Sequence, residues 1–167
     1  MKQDANKGKI RLMKTIIIYA TKHGAAGEVA QRISGKIKGS AVHNLKQGKI
    51  SLADYDCVII GASIYAGSIR KEAKTFVTQN AELLLQKKFG LYISGLETSK
   101  EKEFFETNFS KDILEKAKAT ALLGGIFDPK KAGPIERLII KIIKKKVIFV
   151  NTINDAKIEQ FAKTMQA

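Results

Sequence analysis

The clearest pattern in the chain is an apolar run, Ile16, Ile17, Ile18 and Tyr19, that stops at small and polar residues. An unbroken run of this kind fits a strand covered on both faces, as in a parallel sheet. Residues 21–26 (TKHGAA) follow, and then Val29, Ala30, Ile33 and Ile37 recur at helical spacing over 27–38. The order is strand, tight loop, helix. It repeats: residues 41–45 read as a short second strand, 55–62 as a third around Cys57, Val58, Ile59 and Ile60, and 88–94 as a fourth. A helix is expected over 70–86, with Ala73, Phe76, Val77, Ala81 and Leu84 on one face. A charged segment with Phe104, Phe105 and Phe109 reads as helix with a break at 108–110, and 120–127 as a fifth strand. Both prolines fall in 128–134, which reads as a loop. Residues 134–150 read as a basic apolar helix, and Thr152 with Asp155 as the capping box of a last one.

Strands alternating with helices imply a parallel sheet with right-handed crossovers. The expected fold class is α/β: a three-layer sandwich whose parallel sheet, of order 2-1-3-4-5, carries helices on both faces. Ligands of such sheets sit outside the carboxyl ends of the strands, where the strand order reverses. Three loops lie there. In the first, Thr21, Lys22, His23, Gly24, Ala25 and Ala26 place backbone amides at a helix N-terminus, a site for an anion such as phosphate. An ordinary strand-to-helix turn is the alternative reading. The loop is neither a Walker A sequence nor a Gly-x-Gly-x-x-Gly turn. The second loop is Ser63, Ile64, Tyr65, Ala66 and Gly67; the third is Ser94, Gly95, Leu96 and Glu97.

Length and charge refine this picture. With 167 residues one domain is expected, beginning near Met13 after a basic tail at 1–12. That tail lacks an apolar signal-peptide core, and no apolar run reaches the ~20 residues that span a bilayer. The single cysteine, Cys57, excludes a disulfide framework and a zinc site, reads as an inert core residue and is compatible with a reducing cytosol. His23 and His43 have no spaced partners that would make a metal site, His43 reads as structural, and no nucleophile–base pair stands out, so no catalytic residue is assigned. The formal net charge of +14 points to an anionic partner. Nucleic acid is the weaker choice, because no helix-turn-helix, RNP or zinc pattern accompanies the charge.

Much of that charge is concentrated late in the chain. Ile135, Leu138, Ile139, Ile142 and Ile143 form an apolar stripe, with Arg137, Lys141, Lys144 and Lys145 off it. A basic amphipathic helix reads as an element for an anionic membrane surface or a partner. The alternative is a helix that docks its stripe on the domain and leaves its lysines in water. Ile140 and Val147 lie off the stripe, which favours an interaction surface.

Residues 58–67 (VIIGASIYAG), the Gly124–Gly125 strand end and the basic helix of 135–146 together resemble the flavodoxin family, which binds FMN. Within it they resemble the menaquinone-dependent protoporphyrinogen IX oxidase (dehydrogenase) branch of heme biosynthesis. The resemblance covers nearly all of 13–165. It implies an FMN-dependent oxidoreductase with the FMN phosphate on 21–26 and the flavin ring flanked by 63–67 and 94–98. It also implies menaquinone or a respiratory membrane partner as electron acceptor, and a cytoplasmic protein peripheral to the inner face of the cell membrane. Tyr65 is the aromatic candidate for ring contact, or else packs at a strand end. Gly61, Gly67 and Gly95 let backbone approach the ring, or simply shape turns. The chain departs from the family at Ala26, where a threonine is usual, and at His23, where a hydroxyl is usual. Each lost hydrogen bond to a charged group is worth about 1.5–3 kcal/mol; Lys22 and His23 are expected to offset part of that. Two other readings remain compatible: a small FMN electron carrier with another partner, and a degenerate flavodoxin domain serving as a non-enzymatic interaction module. The basic charge argues against a plain shuttle flavodoxin, since those are acidic.

Overall fold

The computed structural model describes residues 12–167, so the expected basic tail, residue 12 apart, lies outside the described residues. Elements are numbered in chain order. Strand β1 (Thr15–Ala20) puts Ile16 and Ile18 on one face of the sheet and Ile17 on the other, and none of the three has exposed surface. Burial on both sides is what the unbroken apolar run implied. β1 pairs in parallel with β2 (Ala41–Asn44) and with β3 (Cys57–Tyr65). β3 pairs in parallel with β5 (Lys88–Ser94), and β5 with β6 (Ala119–Leu122). The resulting order, β2-β1-β3-β5-β6, is the expected one. A two-residue strand β4 (Ser68–Ile69) adds to it by returning antiparallel on the end of β3.

Helices α1 (Ala25–Lys36) and α7 (Asp155–Gln166) cover the face that carries Ile17, Ile59 and Tyr92. The face with Ile16, Ile18, Val58 and Ile60 is covered by α2 (Lys71–Gln79), α3 (Ala81–Leu85), α4 (Glu101–Asn108) and α5 (Lys111–Lys116). Cys57 is fully buried as expected, and burial raises its thiol pKa. His43 bonds the Gly48 carbonyl at 2.9 Å, a structural role.

Five departures from the expected elements have identifiable causes. β3 runs on through Tyr65, because Ile64 and Tyr65 pair with Ile69 and Ser68. The second loop is therefore a strand end plus a tight turn at Ala66 and Gly67, both with positive φ, the geometry of a primed hairpin turn. Buried Asn108 braces that turn by donating to the Gly67 carbonyl and accepting from the Ile69 amide. The helix expected over 70–86 breaks at Asn80, whose side chain donates to the Phe76 carbonyl and competes with the helical ladder.

The strand expected over 120–127 breaks at Gly124, which takes φ 84. A Cβ there would lie 2.0 Å from the Thr152 carbonyl oxygen, so only glycine allows the approach. Beyond it β7 (Ile126–Phe127) leaves the main sheet and pairs antiparallel with β8 (Val150–Asn151). The helix expected to reach residue 150 ends earlier, as α6 (Pro134–Lys144), because Lys145 turns left-handed and 150–151 join the ribbon. Residues 128–149 thus form an excursion whose two ends are clipped together. Thr152 does not cap the last helix. Its hydroxyl accepts from the Gly125 amide, and Asn154 caps α7 by accepting from the Lys157 amide at 3.0 Å.

Candidate functional site

At the end of β1, Gly24 adopts φ 102 and α1 starts immediately. The first helical bond runs from the Glu28 amide to the Gly24 carbonyl at 2.9 Å. The amides of Ala25, Ala26 and Gly27 precede that bond and have no helical acceptor, the arrangement that favours an anion. Thr21 is 8% exposed; its hydroxyl accepts from the Gly24 amide at 3.0 Å and shares a hydrogen bond with Ser63 at 3.1 Å. It ties the first loop to the end of β3. The Ser94 hydroxyl and the Gly95 amide both donate to the Gly124 carbonyl, at 2.9 and 3.1 Å, tying β5 to the end of β6. Gly95 lies so close to Ile64 that a Cβ would meet Ile64 Cγ2 at 2.5 Å.

These strand ends border a cavity of about 230 Å³. Of the residues expected at the site, Lys22, His23, Ala25, Ser63, Ile64, Tyr65, Ser94, Gly95 and Leu96 line it. Thr21, Gly24, Ala26, Ala66, Gly67 and Glu97 do not. Glu97 is exposed and accepts from the Ser99 amide and hydroxyl, which lower its pKa. Tyr65, 46% exposed, sits on the cavity wall with the Lys22 ammonium 6.0 Å from its ring centre.

Packing gives two of the expected positions a further part. Ala26 is fully buried among Ile17, Ile33 and their neighbours, and its carbonyl accepts from the Tyr92 hydroxyl at 2.7 Å. A threonine there would put its hydroxyl in apolar core, so residue 26 has only its backbone amide to offer. Gly61 makes room for a ring, but for Tyr92: a Cβ would lie 1.8 Å from Tyr92 Cζ.

The cavity also holds residues that the sequence pattern did not assign to it. α6 contributes Glu136, Ile139 and Ile140. Glu136 is 11% exposed and pairs with the Lys22 ammonium. His23 Nε2 lies 3.1 Å from both its carboxylate oxygens, and the Gly133 amide donates to it at 2.8 Å. Burial acts to raise the Glu136 pKa, but the bonds from Lys22, Gly133 and His23 outweigh it and hold the carboxyl at about 2. Lys22 and His23, expected to compensate for missing hydroxyls, are thus engaged by a carboxylate from a distant helix. The sequence does mark Glu136 as the third residue of a helix that begins at Pro134, a capping position. It carries no sign of the partners across the chain. Arg70 also lines the cavity; it pairs with Glu72 at 3.2 Å, and its buried Nε has no hydrogen-bond partner among the described residues. Its signal was its place as the first charge after the second loop.

Among the described residues no group of His, Cys, Asp or Glu could hold a metal ion, and no helix is long and apolar enough to cross a membrane. A parallel sheet of this order, with a cavity at the carboxyl ends beside the switch point, defines a flavodoxin-like α/β domain. The chain belongs to the flavodoxin domain family, whose family model matches residues 16–148. It is 27% identical over 146 residues to the protoporphyrinogen IX dehydrogenase (quinone) of Escherichia coli strain K12, covering 80% of each chain. Flavodoxin 1 of Bacillus cereus superposes with a TM-score of 0.58 at 16% identity, over 91% of this chain and 96% of that one. Rubredoxin oxygen:oxidoreductase of Desulfovibrio gigas gives 0.59 at 13% identity, over 92% of this chain but only 35% of that longer one. The structural likenesses show the fold. With the family match and the curated relative, they make this chain a flavodoxin-like redox protein.

Proposed function

We propose that the chain binds FMN in this cavity and acts as an oxidoreductase on a protoporphyrinogen-type substrate, delivering electrons to a quinone such as menaquinone. The observation that carries the reading is the junction of two features: the amides of residues 25–27 at the start of α1, and the cavity flanked by 63–65 and 94–96 beside them. The residues fit the group in kind. Amides without helical acceptors suit a phosphate, and the wall of Ile64, Tyr65 and Leu96 suits a planar ring.

When bound, FMN supplies reversible acceptance of two electrons with their protons. The protein's own contribution is placement. The amides of 25–27 hold the phosphate, Ile64 and Leu96 exclude water from the ring, and Tyr65 offers an aromatic face at the wall. Arg70 provides a cation for a carboxylate such as a porphyrinogen propionate. A quinone is dissolved in lipid, so the reaction also calls for a cytoplasmic protein that reaches a membrane surface.

Purified protein should show flavin absorbance and release FMN, identified by mass, on heating. Anaerobic addition of protoporphyrinogen and a menaquinone analogue should yield porphyrin fluorescence. Flavin without turnover would leave the small electron carrier. A second reading, a non-enzymatic interaction module, is favoured by one observation: Thr21, Lys22 and His23 already have protein partners. Failure to take up FMN at any practical concentration would select it.

A further inference from the structure

We propose that α6 and the turn after it form a docking surface for an anionic lipid bilayer. The helix is seated by one edge of an apolar arc that is wider than its seat. Glu136, Ile139 and Ile140 meet the cavity, and Ile140, a residue off the sequence stripe, is only 4% exposed. Three residues of the stripe face water. Ile135, Leu138 and Ile142, at i, i+3 and i+7, remain 69%, 58% and 72% exposed. Past the helix, Ile148 and Phe149 are 52% and 59% exposed. Single exposed apolar residues are ordinary, but this many on one excursion mark an interaction surface.

The charge around them says what the surface meets. Residues 128–149 carry Lys130, Lys131, Arg137, Lys141, Lys144, Lys145 and Lys146 against two acids, Asp128 and Glu136. Both acids line the cavity, where Glu136 is paired and Asp128 accepts from the Lys130 amide, so the cations dominate the outer face. Protein interfaces are poor in lysine and rich in tyrosine, tryptophan and arginine. Here lysine supplies all but one of the cations, and the exposed apolar groups are chiefly isoleucine and leucine. Lysine stems can lie along the acyl boundary with their ammonium groups among lipid headgroups. The surface is also held ready. The β7–β8 ribbon clips the excursion at both ends, and the Arg137 guanidinium donates to the Pro129 carbonyl at 2.6 and 3.1 Å. This proposal does not rest on the flavin reading, because its exposed residues stand outside the predicted FMN loops.

The test uses the full chain without added flavin. It has no tryptophan, so Phe149→Trp and, separately, Leu138→Trp each introduce a single reporter. Vesicles are phosphatidylcholine alone or with phosphatidylglycerol, at low salt and at ~0.15 M, where charge is screened beyond about 8 Å. The expected result is a blue-shifted emission, quenched by brominated lipid, with the anionic vesicles only, and partition that falls several-fold in the higher salt. Leu138→Gln combined with Ile142→Gln should lower co-sedimentation at least about tenfold. Lys144, Lys145 and Lys146 changed together to Gln should do the same at low salt. All five positions are exposed, so unchanged thermal melts will show that these variants fold. No blue shift and no sedimentation with anionic vesicles overturns the proposal, as does equal binding by the Gln variants. A chain that dimerises through these residues and ignores vesicles also overturns it and assigns the face to a second copy. FMN uptake, measured apart, stands or falls independently.

Discussion

Glu136→Gln separates two roles of one carboxylate: it fastens α6 to the first loop, and it holds Lys22 and His23 away from a phosphate. The substitution keeps an oxygen that can accept from the Gly133 amide but removes the charge facing the Lys22 ammonium and the His23 ring. A carboxyl held at about 2 instead of the ordinary 4.5 corresponds to a ceiling of about 3 kcal/mol, at about 1.4 kcal/mol per unit. Lys22 is 51% exposed and His23 33%, so solvent screens the pairs and ~1–2 kcal/mol of lost stability is the reasonable expectation. The sign follows from a depressed acid. The stabilisation is fully present above pH 4.5 and is lost as pH falls toward 2. Wild type and variant should therefore differ in denaturant midpoint near neutrality and converge at the acid end.

The second effect has the opposite sign. With Glu136 neutralised, the Lys22 ammonium and the His23 ring beside the amides of 25–27 become available to phosphate. About 1–2 kcal/mol for the two together at such an exposed site gives FMN binding about 5- to 30-fold tighter. The assay is titration of FMN by quenching of its fluorescence, with riboflavin, which lacks the phosphate, as the reference. Adding Lys22→Gln to the variant should remove a large part of the gain, and a double-mutant cycle gives the coupling directly. FMN binding that is unchanged or weaker would refute the argument. So would an equal gain for riboflavin, because the variant would then have opened the cavity rather than released charge.

Gly61→Ala should destabilise the fold by 1–3 kcal/mol or more, to order of magnitude, because its Cβ meets the buried Tyr92 ring at 1.8 Å; urea denaturation reads this, and adding Tyr92→Leu should recover part of it. Ala26→Thr should cost about 1–3 kcal/mol of stability in the same measurement and leave FMN affinity no tighter, since its hydroxyl would enter apolar core. Arg70→Gln should lower kcat/KM about tenfold for a carboxylate-bearing porphyrinogen while FMN titration stays unchanged, a loss on the order of one charged hydrogen bond.

The runs Ile16–Ile17–Ile18 and Val58–Ile59–Ile60 determined by themselves that this would be a parallel sheet with both faces covered. Successive residues of a strand point to opposite faces, so burying all of a β-branched run calls for cover on both sides. With the intervening helical spacings they fit the order 2-1-3-4-5, and so the edge of the sheet on which the three loops meet, and the pairing bears that order out. Tertiary structure decided what those loops touch. Gly61 and Gly95 read as backbone freedom, yet what stands in their empty space is Tyr92 and Ile64, from other strands. Gly124 ended a strand because the carbonyl of Thr152 arrived against it. Glu136, the one acid within the basic helix, proved to be the partner of a loop more than a hundred residues earlier. The stripe on α6 was legible, but not which edge of it would be seated. Hydrophobic periodicity records which positions avoid water; it does not record which neighbour excludes the water, and on α6 the cavity took Ile140 and left Ile135, Leu138 and Ile142 outside.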